Sequence, residues 1–326
     1  MNDIEVSVVI PCLNEEENVP GIYEEVRAEL VKHARSWEIL FIDNGSSDRT
    51  RELVRKICDA DSNVRAIFNT RNFGQMRSPT HAIYQAEGAA VIGMCADFQD
   101  PPALLGEFIR QWREGRMIVL GVRRSEEAAG AVLTAARKAG YGFLARNADY
   151  AVIPGATGFG LYDRRVVETL ARWHEPEPFF RGMLVESGYS IGLVPYDRPE
   201  RRGGQTKNDV FALLDFAVSG LAGSSKALLR RPIVWSLGFM ALGFALAICG
   251  AAAAFAGWAA WPWVILASQF GLFGFGFLFT GLLGEQVRII AERTRRVPLV
   301  IEQERLNFPP SRTRPVRQPF VVAEDD

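Results

Sequence analysis

Cysteine and histidine are scarce in this 326-residue chain, with four of the first and three of the second. Cys12, Cys58, Cys95 and Cys249 form no CxxC pair and no repeated spacing, and His33, His81 and His174 lack metal-ligand spacing to one another. A disulfide framework and a structural zinc site are thereby excluded, and a reduced, cytoplasmic compartment is expected. No GxGxxG follows the first hydrophobic run and no GxxxxGK(S/T) occurs anywhere, which argues against dinucleotide and P-loop sites. With 37 Lys+Arg against 38 Asp+Glu, no global basic field exists to recruit nucleic acid. Residues 1–5 are polar and acidic and the run at 6–10 is too short for a signal core, so no secretory signal is expected.

The longest absence is of charge. From Pro232 to Gly284 there is no Asp, Glu, Lys, Arg or His. A membrane-spanning helix needs roughly 20 mostly apolar residues, and this stretch accommodates two, at about 233–257 and 264–283. Trp258, Trp261, Pro262 and Trp263 supply interfacial and helix-breaking chemistry between them. Lys226, Arg230 and Arg231 precede the first span, and Arg288, Arg293, Arg295 and Arg296 follow the second, which predicts both ends in the cytoplasm. Soluble core helices keep a polar stripe that neither run has. Before the hairpin, residues 209–231 read as amphipathic helices lying at the interface. After it, 285–326 reads as a basic and then disordered cytoplasmic tail. The soluble domain is residues 1–208.

In that domain short β-branched runs alternate with amphipathic stretches. Strands are predicted at 6–10, 38–42, 64–68, 90–94 and 117–120. Helices are predicted at 19–32, 48–58 and 79–86, with another opening at Pro101-Pro102. Such alternation implies an α/β fold with a mainly parallel sheet covered on both faces, whose ligands bind beyond the carboxyl ends of the strands. Those ends carry Pro11 to Glu16, Asp43 to Asp48, Cys95 to Pro102, and Gly121 to Arg124. Helix capping explains some of these groups whatever the function. A nucleotide whose diphosphate is held through a cation explains them too, since Asp97 and the Gln99 carbonyl are oxygen ligands suited to Mg²⁺ or Mn²⁺.

Taken in order, Val8–Pro11 with Asn14-Glu15-Glu16, DNGSSDRT from Asp43, Arg71–Gly74, DFQDPP from Asp97, TGFGLYDRR from Thr157, Phe180-Arg181-Gly182, RRGGQTK from Arg201 and Gly284-Glu285 resemble glycosyltransferase family 2. More narrowly, they resemble its polyprenyl-phosphate glycosyltransferases. The resemblance implies a GT-A-like nucleotide-sugar fold followed by interfacial helices and a transmembrane hairpin. In it Pro11, Leu13, Glu15, Asp43, Asn44, Ala96, Asp97 and Gln99 border the nucleotide sugar, and Asp97 and Gln99 hold the metal. Arg123, Arg201 and Lys207 meet the diphosphate or the acceptor, and Asp97, Arg123 and Arg201 are the catalytic candidates. The implied reaction is inverting transfer from a nucleotide sugar, a UDP-sugar favoured, to polyprenyl phosphate at the cytoplasmic face of the bilayer. A homo-oligomer stays open as a further partner.

The chain departs from the family at three places. Asn44 stands where an aspartate is common, Cys95 replaces the first carboxylate of Asp-x-Asp, and Gly158 and Gly160 replace an aspartate and an arginine. A thiolate suits hard Mg²⁺ poorly, so Cys95 is not assigned as a ligand. The loss at Gly158 fits a phosphate acceptor, which with a second pKa near 6 is already largely dianionic and needs no general base. Two alternatives remain open: a membrane-bound glycosyltransferase using a hydroxyl acceptor, and a non-catalytic nucleotide-sugar-binding protein.

Overall fold

The computed structural model describes residues 4–124, 153, 155–197, 199, 261–295 and 297–309, and in the last long helix only part of the side chains belong to that set. The first half alternates as its hydrophobic pattern requires: β1 (Val6–Cys12), α1 (Val19–His33), β2 (Trp37–Asp43), α2 (Thr50–Ala60), β3 (Val64–Asn69), α3 (Gly74–Gln85), β4 (Ala90–Gly93), α4 (Leu105–Arg113) and β5 (Ile118–Arg123). Then come β6 (Ala156–Asp163), α5 (Arg164–Ala171), α6 (Phe180–Glu186), β7 (Ile191–Tyr196), α7 (Trp261–Arg295) and β8 (Glu302–Leu306).

The strands form one eight-stranded sheet in the order β7-β5-β6-β4-β1-β2-β3-β8. Pairs β4–β1, β1–β2, β2–β3 and β5–β7 are parallel, while β6 runs antiparallel to both β4 and β5, and β8 antiparallel to β3. The sheet is therefore mixed. The expected parallel arrangement holds for the centre, and β6 breaks it on one side. Strands β6 and β8 are hard to foresee because β6 carries Gly158 and Gly160, and β8 is Glu-Gln-Glu-Arg-Leu, with neither run of β-branched residues.

Alternation along each central strand sends side chains to two faces. Val8, Ile10, Phe41 and Phe68 pack with α1, α2 and α4 on one face. Val9, Leu40, Ile42 and Ile67 pack with α3, α5 and α6 on the other. Helix α1 buries Val19, Ile22, Val26 and Leu30, spaced three or four apart as a single stripe. Each such side chain, once fully buried, stabilises the fold by about 1.5–3 kcal/mol.

The chain's last described segment returns to this domain. In β8, Glu304 pairs with Arg55 through both guanidinium nitrogens, Gln303 accepts from Arg51 at 3.0 Å and Glu302 meets His81. Asn307 then donates to the carbonyls of Cys58 and Val64 at 2.7 and 2.8 Å. The tail expected to be basic and then disordered thus includes an edge strand paired with β3, held by these side chains and by Leu306 and Phe308 packed against the core.

The second apolar run falls within α7, a 35-residue helix. Among the described residues no helix is long and apolar enough to cross a membrane; many side chains of α7 are not in that set. The first run, the stretch 209–231, Arg201 and Lys207, and the tail from 310 lie outside the described residues.

Candidate functional site

Parallel strands that end on a common edge bring together whatever follows them. Behind β1, Asn14 adopts φ 55°, and its amide donates to Ser46 Oγ at 2.8 Å while its side-chain oxygen accepts from Ser47 N at 2.8 Å. Glu15 N donates to Thr50 Oγ1 at 2.8 Å, and Glu16 N to Asp48 Oδ2 at 3.2 Å. Asp48 also accepts from Thr50 N at 3.0 Å, so it serves the first turn of α2 as its sequence position suggests. Burial opposes its charge, yet these hydrogen bonds outweigh it and lower the carboxyl below the usual range. The loops after β1 and β2 are therefore laced into one wall, which carries Pro11, Leu13 and Glu15.

Asp43, at the end of β2, is buried and accepts from Gly45 N and Ser46 N at 3.2 Å and from Arg51 Nε at 2.6 Å. It orders the turn from inside. Asn44, 6% exposed, donates to Asn72 Oδ1 at 2.8 Å and Gly74 O at 3.2 Å, and accepts from Phe73 N at 2.9 Å and Asn69 Nδ2 at 3.2 Å. An aspartate could make only the accepting half of that set. Asn44 thus ties the β2 loop to the loop between β3 and α3, a function its place in the sequence does not disclose. Gly45 takes φ +82°, and a Cβ there would lie 2.7 Å from the Arg71 carbonyl carbon, so the two loops touch backbone to backbone.

Beyond β4, the stretch Cys95–Asp100 folds around its carboxylates. Asp97 is 6% exposed, with its Oδ1 accepting from Gln99 N at 3.1 Å across Phe98 at φ 62°. Asp100, 2% exposed, accepts from Cys95 N at 2.9 Å and from the Tyr196 hydroxyl at 3.2 Å. Burial raises the Asp100 carboxyl above its ordinary range, with the Cys95 amide and the Arg123 charge pulling the other way. At Cys95 packing around the sulfur, then the carboxylates of Asp100 and Asp97, push the thiol well above its usual range, although much of the residue's surface is open. A neutral thiol is no ligand for a hard cation. Arg123 closes β5, opposite Tyr196 of β7, and its Nε donates to the Tyr196 hydroxyl at 3.3 Å.

A cavity of about 180 Å³ opens beside this edge. Pro11, Cys95, Asp100, Gly158, Phe179 and Arg181 are among its walls. Of the nucleotide-site residues named from the sequence, Pro11 borders it, while Asp43, Asn44 and Asp97 do not. At Gly158, φ is +93° and a Cβ would meet open space, whereas at Gly160 a Cβ would strike the Val119 carbonyl oxygen at 2.4 Å. The cavity thus has room where Gly158 lacks a side chain, and Gly160 is fixed by strand packing.

Among the described residues no three His, Cys, Asp or Glu side chains gather as a metal-binding group. The donor set here is the Asp97 carboxylate and the oxygens of its loop. That fits a cation of the Mg²⁺ or Mn²⁺ class, which commonly takes one or two protein carboxylates and fills its remaining positions from substrate phosphates and water.

Sequence reasoning missed Tyr196, Arg51 and the Asn69–Asn72 contacts. Asn72 lies within a stretch that the resemblance singles out, but nothing around Tyr196 marks it. A family model for glycosyl transferase family 2 matches residues 7–170. An uncharacterized glycosyltransferase of Synechocystis sp. is 33% identical over 218 residues, covering 67% of this chain and 69% of that protein. The bactoprenol glucosyl transferase of Shigella phage SfV is 30% identical over 233 residues, covering 72% and 75%. Among solved structures, glucosyl-3-phosphoglycerate synthase from Mycobacterium tuberculosis, in complex with Mn²⁺, UDP and glucosyl-3-phosphoglycerate, aligns over 67% of this chain and 78% of that one at 19% identity, with a TM-score of 0.43. The family match spans half of the chain and takes in β1 to α5, with the strand ends that carry Asp43, Asn44, Asp97 and Arg123. The chain belongs to glycosyl transferase family 2 and is a glycosyltransferase.

Proposed function

We propose that this glycosyltransferase moves a sugar, with inversion, from a nucleoside diphosphate sugar, a UDP-sugar favoured, to a polyprenyl phosphate at the cytoplasmic face of a membrane. The observation that carries the reading is one adjacency. Through Pro11, Cys95 and Asp100 the strand-end edge meets a cavity also walled by Phe179, Phe180 and Arg181, apolar and cationic at once. Glu177, just before that wall, pairs with Arg288 of α7 at 3.1 Å, so the cavity sits next to the end of the apolar helix. In α7 the side chains of Leu272 and Leu283 are exposed, as groups facing lipid would be. Relatives named bactoprenol glucosyl transferase support the acceptor class.

In this reading the β1 and β2 walls, with Pro11, Leu13 and Glu15, receive the nucleoside, and Asp43 and Asn44 keep the β2 turn in shape. Asp97, with the Gln99 carbonyl, holds a divalent cation, which when bound neutralises charge on the diphosphate. Arg123 offers a planar fork to the same leaving group, and Arg201 and Lys207 are assigned to diphosphate or acceptor. Charge on the diphosphate grows as the glycosidic bond breaks, so these cationic contacts strengthen in the transition state. The acceptor phosphate arrives as a dianion and attacks the anomeric carbon directly, which is why no carboxylate is needed where Gly158 lies. The hairpin at 232–284 and the interfacial stretch at 209–231 keep the cavity at the headgroup layer.

The test supplies labelled UDP-sugars to the full chain in detergent with either polyprenyl phosphate or saccharide acceptors. Label extracted into organic solvent as an acid-labile glycolipid supports the reading; label carried only by saccharides contradicts it.

A further inference from the structure

Asp100 is a carboxylate with 2% exposure that no ligand role requires, and its surroundings explain why it is tolerated. One oxygen accepts from Cys95 N at 2.9 Å, and the other from the hydroxyl of Tyr196 at 3.2 Å. The same hydroxyl accepts from Arg123 Nε at 3.3 Å. A tyrosine hydroxyl donates once and accepts through its lone pairs, so both bonds can exist together. They connect the end of β5 to the loop that carries Asp97.

The ring that bears the hydroxyl is held as firmly as its partners. Tyr196 meets Phe159 edge-on with centroids 5.6 Å apart, and Phe159 packs on Phe108 at 4.8 Å. Gly121 leaves the space, since a Cβ there would lie 2.8 Å from Phe159 Cδ1 and 3.1 Å from Tyr196 Cε1. Tyr196 itself is 5% exposed. A packed ring with a hydroxyl shared between a buried acid and an arginine is a means of aiming the arginine, because a long flexible side chain otherwise loses rotamer freedom each time it engages a ligand.

We propose that Tyr196 is a positioning residue of the transfer reaction: bonded to Asp100 on one side and Arg123 on the other, it sets the guanidinium beside the Asp97 loop, where the leaving diphosphate lies. This rests on the function proposed above. Tyr196 touches no reacting atom in this account and acts only through Arg123.

The experiment is a double-mutant cycle on the full chain, with Tyr196→Phe, Arg123→Ala and the pair, measuring kcat, donor KM and melting temperature. Phenylalanine keeps the stacking and removes only the shared hydroxyl. The expected result is a fall in kcat of about tenfold for Tyr196→Phe with donor KM changed less than threefold, since a misaimed arginine loses contacts made in the transition state. Adding Tyr196→Phe to Arg123→Ala is expected to cost nothing further. An unchanged kcat in Tyr196→Phe, a loss that multiplies that of Arg123→Ala, or a loss that follows a lowered melting temperature would each overturn the proposal. A wild-type enzyme that transfers from no nucleotide sugar overturns the parent reading, and this one with it, before any variant is compared.

Discussion

Arg51 lies with its Nε 2.6 Å from Asp43 Oδ2 and its Nη1 3.0 Å from Gln303 of the returning C-terminal strand. A single guanidinium thus joins the turn after β2 to the strand that follows α7. Asp43 is fully buried at its side chain and Arg51 about a quarter exposed, so the pair is only partly screened. Arg51→Ala leaves the buried carboxylate its two backbone donors but no counter-charge, and is expected to cost on the order of 2 kcal/mol. Thermal unfolding with and without UDP checks this, and nucleotide stabilisation is expected to shrink together with the melting temperature.

Asp97→Asn keeps the hydrogen bond from Gln99 N but removes the charge that would hold a cation. Transfer is expected to fall by about 10²-fold or more, because charge stabilisation at the leaving group is lost. Titration of Mn²⁺ against activity checks it: the variant is expected to gain little at any concentration that saturates the wild type.

Gly45→Ala tests the contact between the β2 loop and the Arg71–Asn72 backbone. The position has φ +82° and no room for a Cβ, so alanine is expected to cost about 1–3 kcal/mol. Activity is expected to drop with it, since Asn44 is the neighbouring residue and depends on the same loop. Circular dichroism melts and turnover on one preparation measure both.

Glu302 gives a pH signature for the docked tail. Burial opposes its charge, but hydrogen bonds from His81 and Arg305 prevail and hold the carboxyl at about 2, against 4.5 ordinarily. A depressed folded value means the group's stabilisation is complete above about pH 4.5 and disappears as pH falls toward 2. Between pH 6 and 3 the wild type is expected to lose more thermal stability than Glu302→Gln; equal slopes would show that the tail is not held this way.

Sequence reading reached the central sheet because β1, β2 and β3 are buried on both faces and are therefore written as runs of Val, Ile, Leu and Phe. It reached the strand ends for the same reason, since parallel strands deliver Asp43, Asp97 and Arg123 to one edge. It did not reach β8, whose alternating acids are held by partners from another part of the chain, Glu302 by His81 and Glu304 by Arg55. Nor could it reach Tyr196, which looks like any strand aromatic until the fold sets it opposite Arg123. Asn44 is the mixed case: the position was legible, but its four hydrogen bonds to a distant loop were not.

The configuration at the anomeric carbon of the lipid product separates direct displacement by the phosphate from every other route. Nuclear magnetic resonance of glycolipid made by the full chain from an α-linked UDP-sugar and polyprenyl phosphate is expected to show a β-linked phosphosugar. An α-linked product, or sugar joined to anything other than the lipid phosphate, would contradict direct displacement by that phosphate at the Asp97–Arg123 edge.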